Sequence, residues 1–264
     1  MYDDYIDYLK TLNYESFKDC NFKSNGKYKG ILEHVTCDIG FKYLELIHVE
    51  FTNITYEHIN KFININDKFG CPDKHNYVYK SNVYVCSPTT LRYIYHSLVI
   101  LSYYKGTDCK NIVEVGCGYG GLCLAINYFS KLVGVDIKNY NIVDLPEVCS
   151  LIQNYLRLNG EHIYTNINTH LADTYGANVT DDHVFFISNY CYTELDNMRN
   201  TLYSTTLLPK TTNGFIIWQN GGNRGSYPIE NSKTITGKEI IKVIEEKPQT
   251  DAGVGIHKNY FVFF

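Results

Sequence analysis

No stretch of this chain stays apolar for the width of a bilayer. The nearest, "YIYHSLVILSYY", is short and carries His96, so no membrane partner is expected. The first ten residues, "MYDDYIDYLK", have acids where a basic leader would begin and no apolar run behind them, so no secretory signal is read. A basic surplus is also missing: the formal charge is -4, which argues against a broad phosphate-binding surface and against nucleic acid as partner. Cysteine pairs of the C-x-x-C kind are absent, and the total of nine is odd. Without a leader, that count predicts reduced thiols in a cytoplasmic compartment, with "NIT" at Asn53 and "NVT" at Asn178 left unglycosylated. Cys71, His75 and Cys86 form a loose trio with no close pair, so no metal is expected.

What is present suits a packed enzyme-sized domain. Hydrophobic residues make up 44% of 264, enough for one sizeable core with an extension. The rhythm changes near residue 86, and we divide the chain there into a mainly helical extension, 1–85, and a main domain, 86–264. Before the boundary, "YIDYLKTL" and "TYEHINKFININDKFG" have helical spacing, the second running to Gly70. "VTCDIGFKYLELIHVEF" fits a strand or a helix. Beyond it, Ser87 can cap a helix that starts at Pro88. "NIVEV", "NYNIVDL", "IYTNIN", "HVFFISNY" and "GFIIWQN" read as strands. "GGLCLAINYFSKL", "PEVCSLIQNYLRLNG" and "TELDNMRNTLYSTTLL" read as the helices between them. Such alternation predicts an α/β domain with a mostly parallel sheet. "EIIKVIEEKPQT" and "NYFVFF" have no crossover helix between them and are expected to pair antiparallel.

"NIVEVGCGYGGLCLAI" places a glycine turn between the first parallel strand and its helix. Gly116, Gly118 and Gly121 satisfy G-x-G-x-x-G, the dinucleotide pattern. Gly116, Gly118 and Gly120 also satisfy G-x-G-x-G, with Glu114 two residues ahead. The second reading explains more. Glycines let a ligand approach the backbone, whereas an acid beside a pyrophosphate is unfavourable. Glu114 suits a cationic ligand carrying a sulfonium and an amino group, which is S-adenosylmethionine. A Walker loop is excluded, because no Gly-Lys-Ser/Thr follows. A second acid should end the next strand and take ribose hydroxyls. Asp136 in "LVGVD" and Asp144 in "YNIVDLP" compete, and both cannot end one strand. Asp144 is preferred, since a helix opening at Pro146 follows it directly, with Leu145 in the turn. It could also cap that helix, doing both jobs.

Three segments, "NIVEVGCGYGGLCLAI", "YNIVDLPEVCSLIQNYL" and "FFISNYCYTEL", together resemble the family of sugar O-methyltransferases. That family is marked by E-x-G-x-G-Y-G-G, I-x-D-L-P-E-V and S-N-Y-x-x-x-E-L segments. "FGCP" and "CSPTTLRYIYH" are similar to the region before its first motif. The likeness spans roughly Phe69 to Leu195, about half the chain, with a longer connector before Asp144. It implies a Rossmann-like class I methyltransferase fold and S-adenosylmethionine as cofactor, leaving S-adenosylhomocysteine. The acceptor implied is a sugar hydroxyl, on a nucleotide sugar or a glycan, and the extension could supply a lid or homo-oligomer contacts.

A sugar hydroxyl is weakly acidic, so a general base is expected. Sites in open parallel sheets lie beyond the carboxyl ends of the strands. That rule brings forward Ser188, Asn189, Tyr190 and Glu194, then Gln219 and Asn220, with Asp173 toward an adenine. It rejects Asp181 and Asp182, which precede their strand. The expected cofactor set is Glu114, Gly116, Cys117, Gly118, Tyr119, Gly120, Asp144, Leu145, Ser188 and Asn189, with Asp136 held second. Glu194 leads as base or hydroxyl acceptor, balanced against a helix-start charge. His96 is the rival, though such a histidine is more often core. Arg92, Tyr93, Tyr190 and Asn220 are candidate substrate contacts. Cys117 reads as a small residue that fits, and Trp218 as core or a sugar-stacking face. Two other classes stay open: a nicotinamide oxidoreductase, which has no evident catalytic Tyr-x-x-x-Lys, and a non-catalytic binding module.

Overall fold

The computed structural model describes residues 2–33, 35–220, 227–250 and 258–264. In chain order the elements are α1 (Tyr2–Lys10), α2 (Gly26–Leu32), α3 (Cys37–Glu50), α4 (Tyr56–Asn66), β1 (His75–Tyr79), β2 (Asn82–Cys86) and α5 (Pro88–Tyr104). There follow β3 (Asn111–Val115), α6 (Gly121–Val133), β4 (Asn139–Asp144), α7 (Pro146–Leu158), β5 (Asn166–Leu171), β6 (Val184–Asn189), α8 (Cys191–Glu194) and α9 (Asn197–Thr206). The last are β7 (Thr211–Gln219), α10 (Ser232–Thr236), β8 (Lys242–Glu245) and β9 (Asn259–Phe263). Two compact units result. One comprises Met1–Ser102, Gly118–Val135 and Ser150–Tyr164; the other comprises Tyr103–Cys117, Asp136–Cys149 and Thr165–Phe264.

The second unit holds a seven-stranded sheet in the order β5-β4-β3-β6-β7-β9-β8. Strands β3 to β7 are parallel to their neighbours, and β9 runs antiparallel to both β7 and β8. This is the expected Rossmann-like sheet with its antiparallel C-terminal strand. The order reverses between β3 and β6, where open α/β sheets place their ligands. All five residues of β3 are buried, as an inner parallel strand requires. Val115, Phe186, Tyr192, Tyr203, Ile216, Trp218, Val262 and Phe264 form the core on one side of this sheet.

Beside that core the sheet face turns polar. Asn139 and Asn141 of β4 stand opposite Asn166 and Asn168 of β5. The amide of Asn166 donates to Asn139 at 3.1 Å and that of Asn168 to Asn141 at 3.4 Å. Asp181 accepts from Asn139 at 2.8 Å and from Asn141 at 2.7 Å. These amides fix the register that moves the third strand from the expected "IYTNIN" to Asn166–Leu171.

The first unit is helical, with one hairpin, β1 on β2. The ambiguous segment at 35–51 is the helix α3. Thr36 accepts from the Ile39 amide, and Gly40, Tyr43, Leu44 and Ile47 bury one face at helical spacing. Helix α4 ends at Asn66, short of the expected Gly70, because Asn66 and Asp67 enter a buried network. The Asn66 amide donates to Thr90 at 2.7 Å, and Asp67 accepts from the Ser87 amide at 2.8 Å. Lys23 lies in the same network, 1% exposed, donating to the Asn66 carbonyl at 2.6 Å. Its ammonium sits 4.2 Å from the Tyr119 ring centre and 4.8 Å from that of Tyr155. The expected single helix over "TELDNMRNTLYSTTLL" is two, α8 and α9. Asp196 breaks it by capping α9 through the Arg199 amide. Among the described residues, no helix is long and apolar enough to cross a membrane.

Candidate active site

Strand β3 delivers Glu114 to the carboxyl edge of the sheet at 2% exposure. Its carboxyl accepts from the Tyr140 phenol at 2.6 Å and from the Cys117 thiol at 3.0 Å. Burial pushes this carboxyl up to about 7, against the pull of those two donors and with a further push from Asp144. Asp144 ends β4, as expected. It accepts from the Cys117 amide at 2.8 Å through one oxygen and from the Leu145 amide at 2.8 Å through the other. Burial raises it to about 6 and outweighs both amides. Asp144 is only partly enclosed by its neighbours, and each oxygen keeps a lone pair beyond the amide it holds. Asp136 is exposed in the connector that precedes β4, at the opposite end of the strand.

Gly116 leaves β3 with φ at +79°, and its amide donates to the Val143 carbonyl at 3.2 Å. A Cβ there would stand 2.3 Å from the Cβ of Cys191. So α8 itself requires glycine at this position. Burial raises the Cys191 thiol first, followed by the fields of Asp144, Glu194 and Glu114. Acidic groups therefore set the field felt by Cys191, beside the exit of β3. Among the described residues, no group of three His, Cys, Asp or Glu side chains could hold a metal ion.

From β6 come Ser188, Asn189 and Tyr190. Ser188 is fully buried, donating to the Val115 carbonyl at 2.9 Å and accepting from the Tyr192 amide at 3.0 Å. It ties β6 to β3 and to α8. Asn189 is half-buried at the end of the strand. Tyr190 turns the chain with φ at +67° and ψ at -39°. Its phenol donates to Glu246 and lies 3.1 Å from the Thr250 hydroxyl. Glu194, the last residue of α8, is exposed. Asn220 accepts from the Ile229 amide at 2.8 Å, so its oxygen is committed locally. Trp218 is buried and donates to the Tyr227 carbonyl at 2.7 Å, which makes it a core residue. Asp173 is exposed in the short turn after β5.

The rest of the glycine turn belongs to the helical unit. Gly118 and Gly120 have φ of +61° and +92°, a region open to glycine. Tyr119 is buried, and the Tyr93 ring meets it edge-on at 5.6 Å. Arg92 is 8% exposed, donating to the Leu32 carbonyl at 3.2 Å. His96 is 1% exposed, 3.4 Å from the Tyr43 hydroxyl, and burial drives its pKa well below the usual histidine range. That enclosure is a packing environment. A groove of about 520 Å³ runs along α4, lined by Tyr56, Asn60, Lys61, Lys68, Asn159 and His162. Its lining mixes charges of both signs. Sequence reading did not single out Tyr140 or Glu246. Each is one polar residue inside a strand-like run, and its role depends on a cross-strand partner that local pattern does not reveal.

No protein-family model matches the chain, and no curated protein sequence matches it. Solved structures do show similarity. A proposed O-methyltransferase from Nostoc punctiforme is 7% identical, with a TM-score of 0.48 over 100% of this chain and 96% of that one. An O-methyltransferase family 2 protein from Planctomyces limnophilus, in complex with apigenin, is 9% identical, with a TM-score of 0.43 over 66% and 60%. LepI in complex with SAM is 11% identical, with a TM-score of 0.42 over 62% of this chain and 46% of LepI. The chain thus spans under half the length of LepI.

Proposed function

We propose that this chain is an S-adenosylmethionine-dependent methyltransferase acting on a hydroxyl of a sugar, carried by a nucleotide sugar or a glycan. One observation supports the cofactor most. Glu114 and Asp144 both hold Cys117 at the carboxyl edge where the strand order reverses, and Glu194 adds its field at Cys191 beside Gly116. Three carboxylates favour a cationic ligand and oppose the pyrophosphate of a dinucleotide. The residues fit such a ligand. Asp144 has lone pairs for ribose hydroxyls, and Glu114 is a buried acid that a nearby positive charge would ionise. S-adenosylmethionine, when bound, supplies a methyl carbon already activated by its sulfonium. The chain's part is to hold the acceptor oxygen in line and relieve it of its proton.

The sugar acceptor rests on the likeness of the Asp-Leu-Pro and Ser-Asn-Tyr segments to the sugar O-methyltransferases. Glu194, exposed on α8, grips the acceptor hydroxyl in this reading, and Tyr190 serves the acceptor. The functional division at residue 86 belongs to the same proposal. Calorimetric titration with S-adenosylmethionine and, separately, with NAD tests the cofactor. Binding of the first alone is expected; binding of NAD alone would overturn the reading. Incubation with S-adenosylmethionine and a panel of nucleotide sugars should then give a methyl-mass gain in one of them.

A further inference from the structure

We propose that Tyr190 and Glu246 form a proton relay at the carboxyl edge of the sheet, in which the phenol takes the acceptor's proton and passes its own to the carboxylate. The inference rests on the hydroxyl-methylation reading and assigns the base within it.

Topology brings the two residues to one edge. Strand β9 is antiparallel to both β7 and β8, so β8 runs with β6 and β7. Tyr190 directly follows β6 and Glu246 directly follows β8, so both leave the sheet on the side where ligands bind. The backbone of Tyr190 is held in an uncommon conformation for a bulky residue, at φ +67°. Its amide donates to the Ile217 carbonyl at 3.2 Å, and its carbonyl accepts from the Thr193 hydroxyl at 2.9 Å. Such strain persists where the surroundings over-determine it, and it gathers at functional sites.

The partner is an unusual carboxylate. Glu246 is 2% exposed, yet neutral groups supply its hydrogen bonds. These are the Tyr190 phenol, the Thr250 amide at 3.2 Å, the Thr250 hydroxyl at 3.0 Å and the Asn259 amide group at 2.9 Å. Tyr190 is the titratable member of that set. A buried carboxylate held by neutral donors takes a proton more readily than one in water. Burial raises Glu246 accordingly, while the bonds from Tyr190, Asn259 and Thr250 hold it down. Tyr190 is half-buried, and a phenol oxygen accepts as well as donates. The transfer balances. The acceptor O–H bond breaks as a new O–H forms on Tyr190, whose own O–H breaks as one forms on Glu246. Tyr190 ends neutral, Glu246 ends as the neutral acid, and the negative charge ends on the acceptor oxygen. Tyr190 is thus the catalytic residue and Glu246 the positioning residue behind it.

The test uses the full chain with Tyr190→Phe, Glu246→Gln and the double variant. The first readout needs no acceptor: the Glu246 side-chain carbonyl is titrated by ¹³C NMR. Its midpoint should rise in Tyr190→Phe, because the lost phenol bond no longer holds it down; an unchanged midpoint overturns the relay. On whichever nucleotide sugar gains methyl, each single variant should lose roughly 10²-fold in kcat, and the double should be no worse than the weaker single. S-adenosylmethionine affinity should stay within a few-fold of wild type. Near wild-type kcat in Tyr190→Phe, with a lowered Tm, would make the pair a structural clamp and sink the relay while leaving the cofactor reading intact. Should Glu246→Gln fail to fold, Tyr190→Phe decides alone, since it leaves the other donors to Glu246 in place. Wild type that binds no S-adenosylmethionine overturns the cofactor reading, and the relay with it.

Discussion

Asp144 and Asp136 sit at opposite ends of one strand, and that difference makes them separable by experiment. Asp144 ends β4 with two amides on its oxygens; Asp136 is exposed before the strand begins. A carboxylate taking ribose hydroxyls makes charge-assisted bonds worth roughly 1.5–3 kcal/mol, about ten- to a hundred-fold in affinity. Asp144→Asn should weaken S-adenosylmethionine by that order, and Asp136→Asn should leave it unchanged, both measured calorimetrically. The reverse ranking would remove the cofactor from the end of β4. In the proposed reading Glu194 serves the other reactant. Glu194→Gln keeps the shape and loses the charge, so kcat/KM for the acceptor should fall about ten- to a hundred-fold. Cofactor affinity should stay within a few-fold. A variant that loses cofactor and acceptor together would place Glu194 on the sulfonium side.

At the scale of elements, the contact between the exit of β3 and helix α8 carries a prediction of its own. A methyl group on Gly116 would meet the Cβ of Cys191 at 2.3 Å and its sulfur at 2.5 Å, and φ there is +79°. Both the clash and the backbone oppose Gly116→Ala, which should cost about 3 kcal/mol or more in urea unfolding. Cys191→Gly removes the obstructing atoms and should recover part of that loss when combined with it; strictly additive costs would refute the contact. This element also shows what local sequence can convey. The strand–turn–helix from Asn139 to Leu158 was legible because Pro146 marks a helix start directly after Asp144. The glycine turn was legible because glycine is the residue its left-handed backbone favours. The end of α4, the break before Asp196 and the register of β5 were not. Each is set by a partner distant in sequence: Thr90 for Asn66, Tyr227 and α9 around Leu195, and the asparagines of β4 for those of β5. The Tyr190–Glu246 pair was illegible for the same reason, as its members are 56 positions apart.

For the whole molecule, buried acids at the candidate site tie stability and cofactor binding to pH in opposite directions. Burial raises Glu114 from an ordinary 4.5 to about 7 and Asp144 from 3.8 to about 6, and it raises Glu246 as well. A group whose folded pKa lies above its unfolded one favours the fold while it stays protonated. That contribution is complete below about pH 4 and is lost as pH rises through 6 and 7. For a group as buried as Glu114, such a shift corresponds to on the order of 3 kcal/mol. The ligand-free chain should therefore melt at a higher temperature at pH 5 than at pH 7.5, and Glu114→Gln should flatten that difference. A bound cation reverses the preference at the same carboxyls, because it favours their charged forms. S-adenosylmethionine binding should then release protons between pH 6 and 7, and its affinity should rise with pH across that window. Calorimetry in two buffers of different ionisation enthalpy reads the proton count directly. Proton uptake, or an affinity that falls as pH rises, would mean that the ligand beside Gly116 is not a cation, and the three carboxylates would then lose the role given to them.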